Sequence, residues 1–142
     1  AIIGILTAII LTSATASKNK GADAGIKSNL KNATVQGEVF YNTNTAFPNS
    51  YTNFCSTTSP QGGAVTIYSL MTAAAKASGY ASYGVNTAGT AGTATCHDDA
   101  LGWAAEVPIK SAGANQMWCV DWTGKSLITT AGNFPVGDIS CN

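Results

Sequence analysis

The chain has 142 residues, seven Lys+Arg against seven Asp+Glu, one histidine and no net formal charge. Only 10% of the residues are charged, well under the roughly 25% of ordinary soluble domains, and every basic residue is lysine. That balance gives no basis for a nucleic-acid groove or for a surface held to anionic lipid by charge, and the length fits one small domain with an extension.

The first eleven residues, AIIGILTAIIL, contain Ile2, Ile3, Ile5, Leu6, Ile9, Ile10 and Leu11 and no charge. A helix built from them is apolar on almost every face, the pattern of a segment buried in a large core or in a membrane. Exposing these aliphatics to water would cost about 1.5–3 kcal/mol each. A bilayer span needs about 20 apolar residues, and this run falls short even when TSATAS is added. It also lacks the charged start and small-residue cleavage site of a secretory signal, so it is expected to stay in the mature protein.

No proline interrupts the following SATASKNKGADAGIKSNLKNATVQGEVFYN, so the helix is expected to run on to about Asn42, roughly 60 Å at the usual rise. Ile26, Leu30, Ala33, Gly37 and Tyr41 recur at three- and four-residue spacings, with Phe40 beside them, and predict a stripe facing a head domain. Lys27, Lys31 and Glu38 fall off the stripe. Gly4, Gly21, Gly25 and Gly37 each cost up to about 1 kcal/mol relative to alanine. They are either tolerated at that cost or mark close backbone approach.

Asn42 to Gly63 reads as a turn-rich surface excursion held by Cys55. VTIYSLMTAAAKASG predicts a short helix over about 65–78, with Val65, Tyr68, Met71 and Ala75 on one side and Gly79 as its stop. GVNTAGTAGTAT carries little signal for helix or strand. WAAEVPI alternates Trp103, Ala105, Val107 and Ile109 against Ala104, Glu106 and Pro108, a strand with proline at an edge position. MWCVDW alternates in the same way, and the turn TGK leads into SLITT. Together they predict an antiparallel meander of three or four strands over about 102–130. The expected fold class is α+β: an apolar helix segment 1–17, its amphipathic continuation 18–42, and a globular head 43–142.

Cys55, Cys96, Cys119 and Cys141 are widely spaced, with no C-x-x-C pair to suggest zinc or a redox site. Disulfides in an oxidising compartment are the economical reading. Four cysteines allow three connectivities. Cys55–Cys96 and Cys119–Cys141 are favoured because each closes a local loop and the second pins the C-terminal tail to QMWCVDW.

One cluster brings together groups capable of chemistry, Cys96-His97-Asp98-Asp99. A disulfide-bonded Cys96 is no nucleophile, and adjacent residues on an extended chain point to opposite faces. His97 with one aspartate supplies too few ligands for a metal unless Asp121 or Asp138 joins. A solvated polar turn beside a disulfide is the expected role, and neither enzymatic activity nor a cofactor is expected. Trp103, Trp118, Trp122, Tyr80 and Tyr83 could present stacking surfaces to glycans or to nucleic acid, against the commoner role of aromatic side chains in packing.

Two stretches carry a family resemblance. AIIGIL followed by small residues and SKNKGADAGIKSNLKNATVQGEVFYN closely resembles the N-terminal helix of type IV pilins and the related pseudopilins. WCVDWTGKS, with its flanking cysteines, resembles their C-terminal region more loosely. The resemblance covers about residues 1–42 and 116–141. The family's cleavage motif, first mature residues and early acidic residue do not appear in this sequence, as though the N-terminal part of the mature pattern were missing. The proline many members carry near the position of Thr12 is also absent.

The resemblance implies a long helix laid on a small antiparallel sheet. It also implies a structural subunit of an extracellular filament on the bacterial surface, polymerising with copies of itself through Ile2, Ile3, Ile5, Leu6, Ile9, Ile10 and Leu11. The inner membrane would hold the subunit beforehand and pilus assembly machinery would extract it, with adhesion or surface motility as possible roles. The alternatives are a pseudopilin or minor pilin of a secretion or DNA-uptake system, and a membrane-anchored adhesin with a glycan-binding head.

Overall fold

The computed structural model describes residues 2–59 and 65–142, with side chains from residue 13 onward in the first helix. The architecture is α+β: one long N-terminal helix, a second short helix and a five-stranded mixed sheet, closed by two disulfides.

Helix α1 runs unbroken over Ile2–Thr43. Asp23, Ile26, Leu30, Ala33, Gly37 and Phe40 are buried along it, a stripe at the three- and four-residue spacing of one helix face. Phe40 fills the last core position. Tyr41, placed on the stripe by sequence, is half-buried at its margin and packs its ring on Tyr51 at 4.9 Å. Residues 13–18 are exposed. The backbone of 2–12 is helical, while the packing expected of Ile2, Ile3, Ile5, Leu6, Ile9, Ile10 and Leu11 lies outside the described side chains. Among the described residues no helix is long and apolar enough to cross a membrane.

Helix α2 spans Ile67–Ser78. Thr66 caps its start, its hydroxyl accepting from Ser69 N at 3.2 Å, and Gly79 ends it with a left-handed φ of 103°, a conformation glycine adopts without strain. Its buried face is Ile67, Leu70, Met71, Ala74, Ala75 and Ser78. The expected face was misaligned: Val65 and Tyr68 are exposed, because the helix begins after Val65 and its inward stripe starts at Ile67.

The strands are β1 Tyr83–Val85, β2 Ala94–Asp98, β3 Trp103–Pro108, β4 Gln116–Asp121 and β5 Ser126–Thr130, in that spatial order. β3, β4 and β5 form the expected meander. The sheet is nevertheless neither purely antiparallel nor limited to 102–130, because β2 pairs antiparallel with β3 and β1 pairs parallel with β2. The chain leaves β1 through Asn86, at a positive φ of 51°. Pro108 sits in an inner strand, not an edge strand. Its nitrogen faces away from β4, to which Ile109 N donates at 3.1 Å. The β2 pairing has already ended at Thr95–Glu106, so no ladder bond is lost.

Both faces of the sheet are covered. Trp103, Ala105, Val107, Cys96 and Val120 join the α1 and α2 stripes in the main core, together with Tyr51 and Phe54 of the 44–59 excursion. On the opposite face Ala104 and Cys119 pack against Phe134 and Cys141 of the C-terminal tail.

Candidate functional site

Three regions carry the residues singled out in the sequence. The first is the junction between helix and head. Asp23, only 5% exposed, accepts hydrogen bonds from Lys110 N and Ser111 N at 2.6 and 2.8 Å and from the Ser111 hydroxyl. Burial alone would raise its carboxyl, but these donors and the nearby Lys27 charge outweigh it and hold the carboxyl below its ordinary range. Further along, Gly37 lies against Trp103, and a Cβ built there would stand 2.5 Å from the indole nitrogen. Close approach therefore explains Gly37, whereas Gly21 and Gly25 have nothing within 4 Å of such a Cβ. The junction continues through an aromatic chain, Phe40 to Phe54 at 5.2 Å and Phe54 to Trp103 at 4.8 Å. Tyr51 donates to Glu38 Oε1 at 3.3 Å, and burial together with the Glu38 charge pushes its phenol up to about 12.

The second is the Cys96-His97-Asp98-Asp99 run. It is not a solvated turn: Cys96 and His97 lie fully buried in β2, and only Asp99 reaches the exposed β2–β3 turn. Pairing with β3 on one side and β1 on the other hides what short polar residues alone would leave outside. His97 Nε2 lies 2.6 Å from Thr87 O and Nδ1 lies 3.1 Å from Asp138 O. A backbone carbonyl therefore stands at each ring nitrogen. The imidazole also stacks on Phe134 at 4.5 Å, 12° from parallel.

Glu106, fully buried beside it, accepts from the Thr129 hydroxyl through Oε1, while Oε2 has no partner. Burial raises its carboxyl, partly offset by Thr129 and the His97 charge. Asp98 is also raised by burial, against hydrogen bonds from the Asn86 side chain at 2.9 Å and Cys55 N at 3.1 Å. Asp121 is engaged elsewhere, accepting from Thr123, Lys125 N and Cys141 N. Among the described residues no group of three or more His, Cys, Asp or Glu side chains is placed to hold a metal ion. His97 and Glu106 share a buried polar layer under the C-terminal tail. Sequence reasoning placed Glu106 only on the strand face opposite Trp103, Ala105 and Val107 and gave it no role.

The third comprises the disulfides and the aromatic side chains. Cys55 is bonded to Cys96 and Cys119 to Cys141. Trp103 is buried, Trp118 is half-buried and Trp122 is 41% exposed. Tyr83 donates to Cys55 O at 2.5 Å, and burial with the Tyr68 and Asp98 charges raises its phenol. Comparison with protein-family models, with curated proteins and with solved structures finds no match.

Proposed function

We propose that this chain is the structural subunit of an extracellular helical filament of the type IV pilus kind. The observation that carries the reading is the division of α1. One part, from Asp23 to Phe40, is seated in a head of its own, while the preceding turns, with residues 13–18 exposed, extend from that head toward the apolar run. A segment as rich in isoleucine and leucine as residues 2–11 calls for cover from water, and in this reading copies of itself supply it. Staggered, head-to-tail contacts between such helices do not close, so they build a filament whose wall is made of heads. Two disulfides suit a small head outside the cell, and the resemblance of residues 1–42 and 116–141 to type IV pilins points the same way.

The test is to shear cells that make the protein and examine the released material by electron microscopy and intact-subunit mass spectrometry. Micrometre-scale filaments made chiefly of this chain, with both disulfides in its mass, are expected. Recovery of the chain only from the membrane fraction would overturn the reading in favour of an anchored head that never polymerises.

A further inference from the structure

Between the exposed edge of α1 and strands β4 and β5 lies a groove of about 290 Å³, lined by Lys27, Lys31, Thr34, Trp118, Val120 and Ser126. It arises because β5 extends past the helix: Ile128, opposite Trp118 in the ladder, is 48% exposed. The lining carries two positive charges and no carboxylate. Lys27 and Lys31 stand one turn apart on the same helix face, where like charges repel. Asp23, one turn before Lys27, faces the head, where it accepts from Lys110 N and Ser111 N, although the Lys27 charge also acts on its carboxyl. Lys27 is held in place, with Nζ 4.4 Å from the centroid of the Trp118 ring. That cation–π contact keeps the ammonium at the groove and reduces the ordering cost of binding.

We infer that this groove binds a carboxylate-bearing sugar ring, as found in acidic polysaccharides. The two ammonium groups supply the partners for the carboxylate. Ser126 and Thr34 also line the groove, and their hydroxyls suit sugar hydroxyls. Thr34 donates to Lys31 O at 2.6 Å, which leaves its oxygen free to accept. Val120 and the edge of Trp118 form an apolar wall for the ring's C–H face. The volume corresponds to on the order of ten waters, the bulk of a single sugar ring and the low end of small-molecule sites. A bare inorganic anion would leave the apolar wall and hydroxyls unused, and a neutral sugar would leave both charges unpaired. The inference stands apart from polymerisation.

The experiment is a titration of the full ¹⁵N-labelled chain with D-glucuronate, D-glucose and inorganic phosphate, following the Trp118 indole N–H and the amides of Gly124 and Ser126. Saturable shifts with glucuronate, and none with glucose or phosphate, are expected. Lys31→Gln should weaken binding about tenfold, as loss of one charged hydrogen bond implies, and Lys31→Arg should retain it. Lys31 is exposed, so an unchanged amide spectrum elsewhere certifies the fold of each variant. Equal response to phosphate, equal response to glucose, no response, or an unaffected Lys31→Gln would each overturn the proposal. So would shifts at these residues that follow protein concentration alone, which would make the groove a contact between copies.

Discussion

Asp23 on the long helix and Ser111 after β3 are joined carboxylate to backbone at 2.8 Å across 88 residues of sequence. The same carboxylate holds Lys110 N at 2.6 Å, so one buried acid fixes where the helix enters the head. Asp23→Ala should cost about 2–4 kcal/mol, since two backbone donors lose a charged acceptor. The folded-state carboxyl lies below its ordinary 3.8. Its contribution is therefore complete above that value and is lost as pH falls through the folded one. Denaturant unfolding of wild type and Asp23→Asn across acidic pH should show a steeper acid-side loss in the wild type. Parallel curves would remove Asp23 from the junction.

The glycines of α1 should respond in opposite directions. Gly37→Ala drives a methyl into the Trp103 indole and should destabilise by about 1–3 kcal/mol. Gly21→Ala meets open space and should stabilise by up to about 1 kcal/mol through helix propensity. Thermal melts of the two variants suffice, and the same sign in both would contradict the close approach.

Glu106 predicts a pH dependence of the other sign. Its folded carboxyl is raised above 4.5 by burial, so the native state is the stronger proton binder between the two values. Stability contributed by this group is present below 4.5 and declines as pH rises through the folded value. Relative to Glu106→Gln, the wild type should lose stability across that interval. An unchanged difference between the two proteins, measured by urea unfolding at several pH values, would place Glu106 in a solvated setting.

Replacing Cys119 and Cys141 together with serine should cost about 3 kcal/mol on the chain-entropy model for a loop of 22 residues. It should also expose the tail around Phe134 to proteolysis before the rest of the head. Cleavage elsewhere first would show that the tail is held mainly by His97 and Asp121.

The parts legible in the sequence were those with strong periodicity. Ile26, Leu30, Ala33 and Gly37 announce their face because they repeat over several turns of an uninterrupted helix. Trp103, Ala105 and Val107 announce theirs because the alternation lies among large residues. β1 and β2 were hidden because β1 is only Tyr83–Val85 with a glycine at its centre and β2, ATCHD, has mostly small or polar side chains; they become strands through pairing of β1 with β2, of β2 with β3, and through the Cys55–Cys96 bond. The burial of His97 and Glu106 was not legible, since His97 was read in a solvated polar turn and Glu106 only as lying opposite the Trp103 face. Here the tail from Phe134 to Cys141 covers the second face, a long-range contact that local sequence does not encode. The groove of Lys27 and Lys31 needed β5 to extend past the helix, a relation no single segment contains.

The seating of α1 also determines how a pull on that helix would be borne. Force along its axis meets the row from Asp23 to Phe40 lengthwise, so the contacts must slip together, whereas a sideways pull would peel them one at a time. Beyond that row the chain soon reaches Cys55, and from there two covalent rings, with spans of 41 and 22 residues, cannot lengthen under tension. Only the stretches before Cys55 and between Cys96 and Cys119 remain extensible, and the latter includes the inner strand β3. A chain built this way transmits a tug along its helix with little extension of its head.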